Sequence, residues 1–192
     1  METKIDHKNI FYPPGGILLW IIIFLELITF GVALIAMVIS AKEDPVLFHE
    51  SRLHLNVTFG TINTIFLLTS GFFMAVTVHE LKENQKEKAK KYLLLTMLFG
   101  VLFLILKSIE YNSKIDADLV MGTNTFFTYY WMLTLFHVVH VIVGLVILIS
   151  VYFGLKKKNS TTKIEDVEAS AAFWHMCDLI WLLLFPVIYL IF

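Results

Sequence analysis

Glu26, Lys107, Glu110, His137, His140, His175 and Asp178 all lie inside stretches of this chain that are otherwise apolar. In FWHMCDLIWLLLFPV, residues 173–187, His175 and Asp178 are three apart, so on a helix they share a face and can pair. The pair lies about two turns into its run, which fits either a structural contact or a proton-exchanging surface. His137 and His140 repeat the spacing elsewhere. Two such imidazoles make half of a metal site, but the remaining ligands are not evident. A bis-histidine b-type haem needs matched depths on facing helices, and neither His79 nor His175 matches His137. Packed, hydrogen-bonded histidines are the favoured reading. Glu26 falls about 15 Å into the first run at 1.5 Å per residue, near mid-membrane. A bare charge there is expensive, so a protonated or paired carboxyl is expected, handling protons or bonding a neighbouring helix. His137 or His140 can be that partner if the first and fourth runs touch. Lys107 and Glu110 fall at the end of their run, where Lys can snorkel, and an interfacial ion pair is expected.

These residues need five membrane-crossing helices to position them. The 192 residues are 58% hydrophobic and 16% charged, against about 45–50% and a quarter in soluble domains. Apolar runs near 16–41, 56–80, 91–111, 125–154 and 172–192 each reach the roughly 20 residues that cross a hydrocarbon core. No period-2 alternation suggests a membrane β-barrel. The fold class is therefore all-α, one integral membrane bundle over residues 1–192. The first run is too long for a signal peptide and contains Glu26. Loops on one side hold Lys4, Lys8, Lys82, Lys86, Lys88, Lys90, Lys91, Lys156, Lys157, Lys158 and Lys163, against Lys42, Arg52, Lys107 and Lys114 toward the other. That bias predicts a cytoplasmic N-terminus and a C-terminus on the opposite side.

YPPGG at 12–16 is a turn before the first span, and Pro45 ends that span. Pro186 is expected to kink the last. Polar and small residues form helical stripes, including Asn63, Thr64 and Ser70, then Thr96 and Gly100, then Thr134, His137, His140 and Gly144. Such faces turn toward other helices. Trp174, Trp181, Tyr111, Tyr129, Tyr130 and Tyr189 read as an interfacial aromatic belt. The lone Cys177 forms no intrachain disulfide, and a net charge of −1 argues against nucleic acid as a partner. No phosphate loop, nucleophile elbow or cysteine cluster points to a stand-alone enzyme.

With these residues in view, the sequence resembles subunit III of the haem-copper oxidases. EASAAFWHMCDLIW is similar to the closing signature of that family, on Glu168, Trp174, His175, Asp178 and Trp181. FFTYYWMLTLFHVVHVIVG resembles its paired-histidine helix at His137, His140 and Gly144, and Glu26 falls where the family has a membrane carboxylate. NTIFLLTSG (Asn63, Thr64, Ser70) and KSIEY (Lys107, Glu110, Tyr111) match the intervening helices. Larger members have seven helices, and this chain looks like the last five. DPVLF, NTIFLLTSG, KSIEYNSKI, TNTFFTYY and FWHMCDLIW look most like the short NorE-type branch associated with nitric oxide reductase. The resemblance implies an accessory subunit of a bacterial inner membrane with no redox centre of its own. It would pack beside catalytic subunit I, and subunit II, of a haem-copper oxidase or nitric oxide reductase. Haem, with copper or iron, would sit on the partner, and structural lipid could bind here. Support of proton uptake and durability is the implied role. His175 and Asp178 would fix packing near a proton-entry surface, with Glu26, His137 and His140 as a deeper polar cluster. Two competing classes are a small proton-coupled transporter, for which no inverted repeat is found, and a b-haem electron carrier.

Overall fold

The computed structural model describes residues 15–157 and 162–192, which are helical apart from short connections. In chain order they form α1 (Gly16–Glu43), α2 (Pro45–Leu53), α3 (Val57–Lys82), α4 (Lys86–Asp116), α5 (Thr125–Lys156) and α6 (Ile164–Pro186). A π-helical turn, Val187–Ile191, follows. Among the described residues five helices, α6 taken together with that turn, are long and apolar enough to cross a membrane. Pro13, Pro14, Lys4, Lys8 and Lys158 lie outside the described residues.

Three expectations need correction. Pro45 begins a helix as well as ending one: it occupies the first position of α2, and Asp44 Oδ1 caps that helix at the Leu47 amide, 3.1 Å away. Helix α4 extends five residues at each end beyond 91–111. Helix α6 starts at Ile164 rather than 172, with Glu165 and Asp166 in its first turn, where carboxylates suit the helix dipole. Pro186 cannot continue the regular bonding pattern, and the chain answers with a π-helical turn.

Helix α6 is the centre of the bundle and packs against α1, α3 and α5. Half of its apolar window is buried, against 22% for α1. Lipid gives apolar helices little reason to prefer one another, so close fit and polar contacts must hold them together. Trp174 provides both. Its indole lies between Gly100 of α4 and Gly144 of α5, where an added Cβ would come within 2.8 Å of the ring at either glycine. Its Nε1 donates to Ser70 Oγ of α3 (3.0 Å), and that hydroxyl donates to the Thr96 carbonyl of α4 (2.7 Å). One side chain thus fixes three helices to α6.

Gly100→Ala or Gly144→Ala should cost about 1–3 kcal/mol by overpacking, measured by denaturant unfolding in mixed micelles. Gly31→Ala is the control, because nothing lies within 4 Å of its added Cβ. Equal behaviour of all three would show that the slot is misassigned.

Candidate functional site

Among the described residues the ionisable groups singled out in the sequence fall into three clusters, and the most enclosed is built on Lys107. Lys107 and Glu110 are each 1% exposed, so the interfacial ion pair is overturned. The reason is helix length. Because α4 runs on to Asp116, Lys107 lies about 14 Å inside its end, too deep to snorkel. Lys107 Nζ donates to Glu110 Oε2 (3.0 Å), Tyr189 OH (2.7 Å) and Tyr130 OH (3.4 Å). Both hydroxyls donate in turn to Glu110 Oε1, Tyr189 at 2.6 Å and Tyr130 at 3.1 Å. The rings of Tyr111, Tyr130, Trp181 and Tyr189 surround the ammonium at 5.1–5.4 Å. Three ammonium donors meet three acceptors, and the carboxylate accepts three hydrogen bonds. This lock joins α4, α5 and the chain after α6.

The π-helical turn helps place Tyr189 in this lock, and Arg52 Nη1 of α2 donates to the Tyr189 carbonyl (3.2 Å). Lys114 Nζ likewise donates to the His54 carbonyl (2.6 Å). Trp181 Nε1 donates to Thr64 Oγ1 (3.0 Å). Trp174, Trp181, Tyr130 and Tyr189 are buried, so these four do not form the interfacial belt expected of them. Tyr130 had a legible signal: with Thr134 and His137 it continues the polar stripe of α5. Arg52 had none, since its acceptor is a backbone carbonyl far along the chain.

The second cluster pairs α1 with α5. His140 Nε2 lies 3.3 Å from Glu26 Oε2, with the side chains 11% and 24% exposed. His140 Nδ1 is 2.7 Å from the Phe136 carbonyl. A carbonyl only accepts, so Nδ1 carries the hydrogen, while Glu26 Oε2 lies at ion-pair distance from Nε2 without a hydrogen bond among the described residues. His137 stands apart from the pair. It stacks on Trp181 (5.4 Å between centroids) with its edge toward Phe103, and neither ring nitrogen makes a hydrogen bond among the described residues. The expected trio therefore reduces to Glu26 and His140.

The third cluster is His175 with Asp178, Nδ1 to Oδ2 at 3.3 Å. It is deeper than the sequence suggested. A Cβ on Gly71 would lie 3.4 Å from His175 Nδ1 and would collide with Asp178 Oδ2, and Gly71 is close to the middle of α3. The early start of α6 explains the difference, because the pair is three to four turns in rather than one or two. Near the basic loops, Glu168 of α6 pairs with Lys82 of α3 at 2.7 Å. Asn63 is buried with neither amide atom hydrogen-bonded among the described residues. Among those residues no three His, Cys, Asp or Glu side chains converge into a metal site.

Comparison with known proteins gives a family match to cytochrome c oxidase subunit III over residues 17–191. The cytochrome bo(3) ubiquinol oxidase subunit 3 of Buchnera aphidicola is 25% identical over 173 residues, 90% of this chain and 84% of that one. The cytochrome c oxidase subunit 3 of Synechocystis is 29% identical over 144 residues, covering 74% and 60%. That of Mycosarcoma maydis is 37% identical over 131 residues, covering 67% and 46%. The chain thus spans about half to three fifths of the length of the last two.

Tyr189→Phe removes a hydroxyl from the lock and should cost about 1–3 kcal/mol in detergent unfolding. Tyr129→Phe, which loses only a 3.3 Å contact to Ser40 Oγ, should cost less. Solid-state nitrogen NMR should find His140 protonated at Nδ1; a ring protonated at Nε2 alone would contradict the hydrogen bond to the Phe136 carbonyl.

Proposed function

The chain belongs to the cytochrome c oxidase subunit III family, and from that premise we propose that it is an accessory subunit of a haem-copper oxidase or nitric oxide reductase. The observation that carries this reading is a family match extending through all five membrane-spanning helices. In this role the chain seats beside catalytic subunit I, which holds the haems with copper or iron, and contributes no redox centre itself. DPVLF, KSIEYNSKI and TNTFFTYY support the NorE-type branch, and with it a reductase as partner. Bacterial relatives from Buchnera and Synechocystis and the lysine bias of the loops support an inner membrane with the basic loops cytoplasmic.

The geometry suggests how such a subunit works. The Lys107 lock and the Trp174 slot make a rigid scaffold. The Glu26–His140 pair, an acid and an imidazole 3.3 Å apart and both partly exposed, is the pair in the interior best placed for exchange, and through it the subunit supports proton uptake and durability. Structural lipid belongs on the outer faces.

Purification of the tagged protein from its native membrane in mild detergent tests this reading. Haem-bearing catalytic subunits should elute with it, and their identity by mass spectrometry distinguishes oxidase from reductase. A colourless protein eluting alone would overturn the proposal. Removing the subunit should shorten the active lifetime of the turning-over complex while its initial rate stays within about twofold, a difference below 1 kcal/mol in barrier height.

A further inference from the structure

The outward strip of α6 lies between α1 and α3, which pack on α6 but have no substantial contact with each other. Its floor presents His175, Leu179, Leu182 and Leu183, all exposed, and on α3 the neighbour of Gly71, Phe72, is 63% exposed. His175 is 44% exposed although it sits beside Gly71, at the middle of a membrane-spanning helix. Its Nδ1 is held by Asp178, leaving Nε2 as the outward nitrogen. Asp178, only 9% exposed, keeps Oδ1 buried without a hydrogen bond. Intramembrane ionisable groups almost always face protein or a water-filled cavity, because lipid tails offer no hydrogen bond. The outer face of α4, with Leu94, Leu98, Val101, Ile105 and Ile109, has no such group and suits lipid.

We propose that this α1–α6–α3 groove seats a transmembrane helix of the catalytic subunit that places a hydrogen-bonding side chain against His175. The proposal rests on the accessory-subunit reading above. The Asp178 carboxylate orients the imidazole and favours Nε2 as the contact atom. Leu179, Leu183 and Phe72 supply the apolar contact that a helix needs along its length. The hydrogen bond specifies which helix and which register, since a purely apolar helix would leave the outward Nε2 of His175 without a partner.

Photo-crosslinking within the native complex tests this assignment. Benzoylphenylalanine replaces Leu179 or Phe72 in the groove, and Leu98 or Ile105 on α4, followed by illumination and peptide mapping. Groove positions should give adducts with one transmembrane helix of the catalytic subunit, within a turn of a polar residue, and the α4 positions should not. Adducts from α4 alone, or groove adducts only with lipid or with a second copy of this chain, would overturn the groove assignment while a copurified catalytic subunit left the function standing. Absence of that subunit from the eluate would overturn both. In a second arm, His175→Leu should weaken retention of the catalytic subunit about 5- to 30-fold, the range of one interhelical hydrogen bond. Unchanged retention would count against the proposed contact.

Discussion

A primary amine and a carboxylate buried together in a membrane bundle are the strongest constraint on this structure. Lys107 and Glu110 are one turn apart on α4, yet their remaining hydrogen bonds must come from elsewhere, and they come from α5 and the chain after α6. Removing water from two charges is costly, and only good geometry with full hydrogen bonding offsets it. Each helix that contributes a partner is therefore held in register. Slipping α5 by one turn would take Tyr130 away from the carboxylate and leave it one donor short. The aromatic rings around the ammonium add to this, because a cation loses less when it leaves water for the face of a π-system.

The second constraint is steric. Trp174 enters the bundle where two other helices lack side chains, and its single polar atom meets a hydroxyl already held by a backbone carbonyl. Close approach at glycines and a few buried hydrogen bonds are what lipid-embedded helices have in place of a hydrophobic driving force. The lock sits toward the end of the bundle away from the basic loops and the slot nearer the middle. Together they leave α1 as the outlying helix, joined through α5, α6 and the Glu26–His140 contact.

Much of this was legible in sequence, and the misses share a cause. Twenty apolar residues in a row announce a span, so all five were visible. Helix α2 was not, because nine mixed residues between two spans resemble a loop. The first two turns of α6 were hidden by their acids, which made the span seem to start at 172. That offset placed His175 and Asp178 near a surface when they lie at mid-span. A five-residue error at the end of α4 likewise put Lys107 at the interface. Depth in a membrane is read from span ends, and polar first and last turns blur those ends. Depth in the sequence left His137 and His140 both open as partners of Glu26, and the structure brings only His140 to it. The isolation of His137 was not legible, because Trp181 covers it and sequence spacing gives no hint of that.

The central claim is that the Lys107–Glu110 pair, completed by Tyr130 and Tyr189, holds the bundle together as one unit. A double-mutant cycle tests it most directly, using Lys107→Met, Glu110→Leu and the two combined, with unfolding free energies measured in mixed micelles. Each single change leaves a buried charge without its partner and should cost about 3–5 kcal/mol, while the double variant should cost clearly less than the sum. Additive costs would contradict the claim and show that the two residues stabilise the fold independently.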